Sequence, residues 1–222
     1  MMSGPSIEPT QGQARSLVIL LHGYGANGDD LIALGRVWQK YLPHTAFVAP
    51  NAPFPCAHSP FFGRQWFDLS EWSQEALLAG VRTVAPQLNA FIDASLKEHG
   101  LTDKDLILGG FSQGAMVALH AGLTRPQQCA GVLSYAGALL CEPQEVRSKP
   151  PIMLVHGQED QVVLFHEMEN AHNALSSWDV AVSSHARPEL SHAIDEEAVN
   201  LGRGFIISQL EEGLQPSANA AR

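Results

Sequence analysis

Six short apolar runs punctuate the chain, at 17–21, 45–49, 106–108, 131–135, 152–155 and 180–184. Each is continuous rather than alternating and is bounded by turn residues, the pattern of strands covered on both faces. Between them, stretches at about 29–41, 72–98, 113–124, 164–178 and 193–211 read as amphipathic helices. Pro86 interrupts the second of these, predicting a kink or a restart, because proline removes a backbone donor and crowds the preceding turn. Alternating strands and helices predict an α/β fold: a mostly parallel central sheet with helices on both faces. Ligands of such sheets sit beyond the carboxyl ends of the strands, so the loops that leave those ends are where chemistry is expected. Residues 1–15 and 213–222 lack apolar periodicity and read as flexible tails of a single domain spanning 1–222. No segment between strands is long enough for a large cap domain.

The first such loop, Gly23-Tyr24-Gly25-Ala26-Asn27-Gly28, is a literal G-x-G-x-x-G. A dinucleotide site makes two further demands. One is an acidic residue about 20 positions on, at the end of the next strand, for the ribose hydroxyls. That strand ends Val48-Ala49-Pro50-Asn51, without an acid. The other is a helix N-terminus that welcomes pyrophosphate, and here Asp29 and Asp30 open the helix and would repel it. The glycines therefore serve another purpose.

That purpose follows from Gly110-Phe111-Ser112-Gln113-Gly114, a G-x-S-x-G directly after a strand and directly before a helix. A sharp strand-to-helix turn presents the serine hydroxyl, and only minimal side chains two residues either side allow it. A serine nucleophile of this kind needs an acid and then a base downstream. Asp160, in the loop after 152–155, is the expected acid, with its neighbour Glu159 as the alternative. Among ten histidines, His192 follows the last strand and precedes the C-terminal helix, where the base belongs. His156 and His166 crowd the acid, and His185 falls too close to the strand. An oxyanion needs preorganised donors, each worth about 3 kcal/mol of barrier. The amides of Gln113 and Tyr24 are the expected pair, the second supplied by the glycine-rich loop.

Taken together these residues resemble the acyl-protein thioesterase and phospholipase/carboxylesterase group of α/β-hydrolases. The resemblance runs from about 17 to 210 and is carried by Leu21-His22-Gly23-Tyr24-Gly25 with Asp29-Asp30, Pro50-Asn51-Ala52-Pro53 and Trp66-Phe67-Asp68. Gly109–Gly114, His156-Gly157 through Asp160 to Val163, and His192 complete it. It implies an α/β-hydrolase fold and hydrolysis of carboxylic esters or thioesters by an acyl-enzyme route, without metal or cofactor. Ser112, Asp160 and His192 match the nucleophile, acid and base. Two departures stand beside the site. Many eukaryotic members have leucine at the position of Tyr24, and a Gly-x-Gly-His where this chain has Glu189-Leu190-Ser191-His192. They point to a general carboxylesterase for small to medium chains, with acyl-protein or lysophospholipid (thio)esterase activity as the alternative. A hydrolase fold that binds without turnover is the remaining class, disfavoured by an intact set of three residues.

Residues 52–68 form a long aromatic loop without periodicity, which compact domains keep mainly for function. Phe61, Phe62 and Trp66 from this loop, with Val163 beside the acid, are the expected acyl-chain contacts; covering the sheet edge is the competing role. Asp68 is expected to fix the loop rather than take part in chemistry. A net charge of −10, with no basic run, argues against nucleic acid and against an anionic membrane surface. Cys56, Cys129 and Cys141 are too scattered for a disulfide framework and lack C-x-x-C spacing, so they read as thiols in a reducing compartment. His166-Glu167 opens like a zincin helix but lacks the second histidine four residues after the first, so no metal is expected. The polar N-terminus carries no secretory or membrane-anchoring run, and a cytoplasmic enzyme acting on a small-molecule ester is expected. Exposed aromatics near the site would equally suit a homodimer.

Overall fold

The computed structural model describes residues 2–56, 59 and 63–214. In chain order its first half runs β1 (Ser6–Ile7), β2 (Ser16–Leu21), α1 (Gly28–Trp38), β3 (Thr45–Val48), β4 (Phe54–Pro55), β5 (Arg64–Gln65) and α2 (Gln74–His99). Then follow β6 (Leu106–Phe111), α3 (Gln113–Thr124), β7 (Gly131–Tyr135), β8 (Ile152–Gly157), α4 (His166–Ser177), β9 (Val182–Arg187) and α5 (Glu196–Leu214). Seven strands form one sheet in the order β1-β3-β2-β6-β7-β8-β9, with every pair parallel except β1 against β3.

The pleat sorts the core into two layers. Leu17, Ile19 and Leu21 of β2 face a cluster with Val81 and Leu88 of α2, Val117 and Leu119 of α3, and Leu175 of α4. Val18 and Leu20 point the other way, toward Ile32 and Trp38 of α1 and Phe205 and Ile206 of α5. Helices thus cover both faces, as the strand–helix alternation requires, and each fully buried aliphatic contributes about 1.5–3 kcal/mol. Helix α3 is buried on all sides, between the sheet and α2, because Ala115, Ala118, Ala121 and Gly122 let it sit close. No helix among the described residues is long and apolar enough to cross a membrane.

Three expectations change. Of the tail expected at 1–15, the described residues 2–15 are not a tail: β1 pairs with β3, the Ala49 amide donates to the Pro5 carbonyl, and that of Asn51 donates to Ser3. Two paired residues are too short a signal for periodicity to reveal. Pro86 does not restart α2, which is one helix from Gln74 to His99; Pro86 and Arg82 both lie on its solvent side, where the Arg82 carbonyl that loses its donor is open to solvent. The last strand begins two residues later than expected and, as the sheet edge, is only half covered. Of the C-terminal tail expected at 213–222, residues 215–222 lie outside the described residues.

Candidate active site

Strand β6 hands over to α3 through a single residue, Ser112, at φ 53° and ψ −119°. This is left-handed backbone for a residue with a Cβ, a strain of about 1–3 kcal/mol held by its surroundings. Glycine is obligatory on either side. A Cβ on Gly110 would stand 2.3 Å from the Gly114 carbonyl oxygen, and one on Gly114 would stand 1.9 Å from that of Leu21. The Ser112 amide donates to Tyr135 of β7, and the Ser112 carbonyl accepts from Ala115 and Met116, so both neighbours in the chain pin the turn.

The loop after β8 brings the acid. Asp160 is buried; its Oδ1 accepts the amides of Val162 (2.8 Å) and Val163 (3.0 Å), and its Oδ2 accepts His192 Nδ1–H at 2.7 Å. His192 Nε2 then lies 2.9 Å from Ser112 Oγ. The loop carrying His192 is fixed from below: the Glu159 amide donates to Leu190, and a Cβ on Gly157 would meet the Leu190 carbonyl at 2.2 Å. Arg187 and Asp195 pair across its two ends at 3.0 Å, and the Phe111 ring packs against the His192 ring, tilted by 42° with centroids 4.8 Å apart. The structure thus brings Ser112, His192 and Asp160 into one hydrogen-bonded line. Glu159, the alternative acid, is exposed, and no hydrogen bond joins its carboxylate to His192 among the described residues.

A fourth residue joins them. His156 Nε2–H donates to the Val163 carbonyl at 2.8 Å and stands 3.3 Å from Asp160 Oδ2. Its ring is buried edge-on against Phe165, and burial lowers its pKa, so it stays neutral. Sequence reasoning set His156 aside for crowding the acid; its position at i−4 from Asp160 was the available signal.

On the opposite side, Gly23 passes so close that its Cβ would stand 3.5 Å from that of Ser112. Neither the Tyr24 nor the Gln113 amide donates to any backbone or side-chain acceptor among the described residues. The Gln113 amide also opens α3, where the helix dipole is positive. His22 is buried with its pKa lowered by that burial; Nδ1–H donates to Gly23 and Nε2 accepts the Ala52 amide, which fixes one neutral tautomer. The neighbouring Cys56 thiol and, after it, burial push the Tyr24 hydroxyl up to about 12, so it stays protonated.

The described part of the aromatic loop braces this arrangement. Trp66 was expected to touch substrate, and it does not: it is fully buried, its indole donates to the His22 carbonyl, and its amide donates to the Gln113 side chain. Gln113 Nε2 in turn donates to the Phe67 carbonyl, clamping the loop onto the start of α3. Arg64 holds the carbonyls of Ala52 and Pro53, and β4–β5 forms a small hairpin. The Ser70 amide and hydroxyl donate to Asp68. Phe61 and Phe62 lie outside the described residues.

An apolar groove of about 700 Å³ is lined by Met116, four residues along α3 from Ser112, and by Val162, Val163 and Leu164 beside the acid; Ser112 and His192 are not among its lining residues. Leu77, Ala138, Leu139 and Trp72 line it further on. Val163 therefore serves both the groove wall and the acid. A larger depression, about 1040 Å³, opens between the N-terminal segment and α2; it is lined by Asn27, Asp29, Asn51 and Glu98 and includes none of the residues around Ser112.

Comparison with known proteins places the chain in a family. The family model described as phospholipase/carboxylesterase matches residues 2–209, and the chain belongs to that family of ester hydrolases. The acyl-protein thioesterase 1 of Saccharomyces cerevisiae is 32% identical over 177 residues, 73% of this chain and 78% of that protein. Esterase YpfH of Escherichia coli is 27% identical over 84% of this chain and 79% of its own length. Among solved structures, esterase PE8 is 40% identical, with a TM-score of 0.89 over 94% of this chain and 99% of its own.

Proposed function

We propose that the protein is a serine carboxylesterase that cleaves small to medium-chain esters through an acyl-enzyme on Ser112. The hydrogen-bonded line from Ser112 Oγ through His192 to Asp160 carries this reading. His192 Nε2 takes the hydroxyl proton as Oγ attacks the ester carbonyl, and the carbonyl electron pair moves onto oxygen. The Tyr24 and Gln113 amides receive that oxyanion. The protonated His192, steadied by Asp160, returns its proton to the leaving alcohol as the C–O bond breaks. Water repeats the sequence on the acyl-enzyme and releases the acid. The groove from Met116 to Leu164 is the proposed seat of the acyl chain.

Acyl-protein or lysophospholipid (thio)esterase activity is the second reading. It is favoured by the exposure of Trp72, Val162 and Leu164, which leaves the groove open to a large acylated partner.

The test is hydrolysis of p-nitrophenyl esters of increasing chain length by wild type and Ser112→Ala, with fluorophosphonate labelling in parallel. We expect kcat to fall by four to six orders of magnitude, on the order seen when a nucleophile is removed, and labelling to vanish. An equally active alanine variant would overturn the assignment. A folded wild type that labels but turns over no ester would move the reading to thioesters or acyl-proteins.

A further inference from the structure

We propose that His120, Cys141 and Glu145 form a binding site for a divalent transition-metal ion, best matched to Zn²⁺, beside the groove and separate from the Ser112 centre. The three come from different segments: His120 from α3, Cys141 from the loop after β7, and Glu145 from the short 3₁₀ turn Pro143–Glu145. One donor atom of each lies within 4.8 Å of the other two. Tetrahedral zinc sites bring donors to about 3.5 Å from one another, given metal–ligand bonds of about 2.0–2.3 Å. Closing that gap is a side-chain adjustment.

The outer contacts already set the ligands. His120 is buried, and its Nδ1–H donates to the Leu140 carbonyl at 2.7 Å, which leaves the Nε2 lone pair for a metal. Metal-binding imidazoles are oriented in this way. Glu145 accepts from Arg82 Nε at 2.8 Å and from the Glu142 amide at 2.9 Å, and a carboxylate with about four lone-pair sites keeps capacity for an ion. Arg82 is also paired with Glu142, so its charge is more than offset locally. Imidazole, thiol and carboxylate together suit zinc rather than magnesium or calcium, which favour oxygen alone.

The same trio reads less well as a second nucleophilic centre. The Cys141 thiol is pushed up to about 12 by burial and by its acidic neighbours, which leaves little thiolate without a metal. On binding, the S–H bond breaks, its proton goes to solvent and the sulfur bonds zinc: one ion in, one proton out, with no redox change. Leu140, Cys141 and Glu142 line the groove, so its solvent can supply the fourth ligand. His120 lies eight residues along α3 from Ser112, about 12 Å at 1.5 Å per residue. The ion would therefore not touch the reacting ester; it would tie the 138–145 wall of the groove to α3.

The experiment is Zn²⁺ titration calorimetry against a competing chelator, with Co²⁺ substitution read by absorption, on wild type, Cys141→Ser, His120→Asn and Glu145→Gln. Ser112→Ala serves as the reference. We expect one ion per chain and a thiolate-to-cobalt charge-transfer band in wild type and Ser112→Ala. Cys141→Ser should lose the band, and each ligand variant should weaken Zn²⁺ by more than about 100-fold, beyond the loss typical of outer contacts. Thermal melts show which variants fold, and partly exposed Glu145→Gln keeps the test open should buried His120→Asn not fold. Wild type that binds no Zn²⁺, a Co²⁺ spectrum without the thiolate band, or unchanged affinity in folded Cys141→Ser or Glu145→Gln would each overturn the proposal. None of these readouts depends on esterase activity.

Discussion

At the Ser112 end of the site nearly every position is held by backbone: Gly110, Gly114 and Gly157 each lie where an added Cβ would strike a carbonyl oxygen. At the other end, around Trp72, Val162 and Leu164, large apolar side chains stand exposed along an open groove. The first region sacrifices conformational ease, in the left-handed Ser112, to fix geometry that must be right within a few tenths of an ångström. The second sacrifices solvation to offer an apolar surface that imposes no single shape. A hydrolase built this way separates what it does from what it does it to. Changes at the first end should abolish chemistry or folding, and changes at the second should only re-rank substrates.

After removal of the Ser112 hydroxyl itself, the largest effect is expected at Asp160. Asp160→Asn keeps an oxygen for the Val162 and Val163 amides but turns an N–H toward His192 Nδ1, forcing the wrong imidazole tautomer. A fall in kcat of about 10⁴ with an unchanged melting profile is expected; activity within tenfold of wild type would show that His192 does not rely on this carboxylate. Next comes Gly114→Ala, which sets a Cβ against the Leu21 carbonyl oxygen at 1.9 Å and should cost more than about 3 kcal/mol of stability. Its control is Gly204→Ala on the exposed side of α5, where nothing lies within 4 Å and a gain of about 0.5–1 kcal/mol is expected. Urea unfolding midpoints measure both. Similar shifts in the two would mean the elbow is not over-determined.

The sequence made the first region more legible than the second, for a physical reason. The elbow's glycines flank Ser112 within five residues, and Asp160 and His192 each follow a strand, so local pattern and chain order carried the information. Trp66 was misread because an aromatic loop looks alike whether its rings face solvent or core; only the His22 carbonyl and the Gln113 side chain show that it faces inward. Pairing of Ser6–Ile7, the exposure of β9 and the meeting of His120 with Cys141 and Glu145 depend on contacts between distant segments, which no local spacing encodes.

His156 tests where the rigid region ends. Its Nε2–H holds the Val163 carbonyl while the Val163 amide holds Asp160, so the ring closes a circuit around the acid. His156→Phe fills similar space but removes the donor, and a hydrogen bond of about 1–1.5 kcal/mol corresponds to roughly a tenfold loss. We expect that loss in kcat with KM unchanged, and partial recovery in His156→Gln, whose amide N–H can reach the same carbonyl. Equal losses in both variants would indicate a packing role, with no positioning of Asp160.

The smallest effect should fall on the groove, and only for some substrates. While an acyl chain lies on the apolar wall, each added CH₂ contributes about 0.8 kcal/mol, or roughly fourfold in kcat/KM. Leu164→Ser removes apolar surface at the exposed part of the groove without touching the hydrogen bonds around Asp160. In a p-nitrophenyl ester series the acetyl ester should stay near its wild-type value, while the rise with chain length flattens once the chain reaches Leu164. A uniform drop at every length would instead mean that Leu164 supports the Asp160 loop, and that the acyl chain takes another path from Ser112.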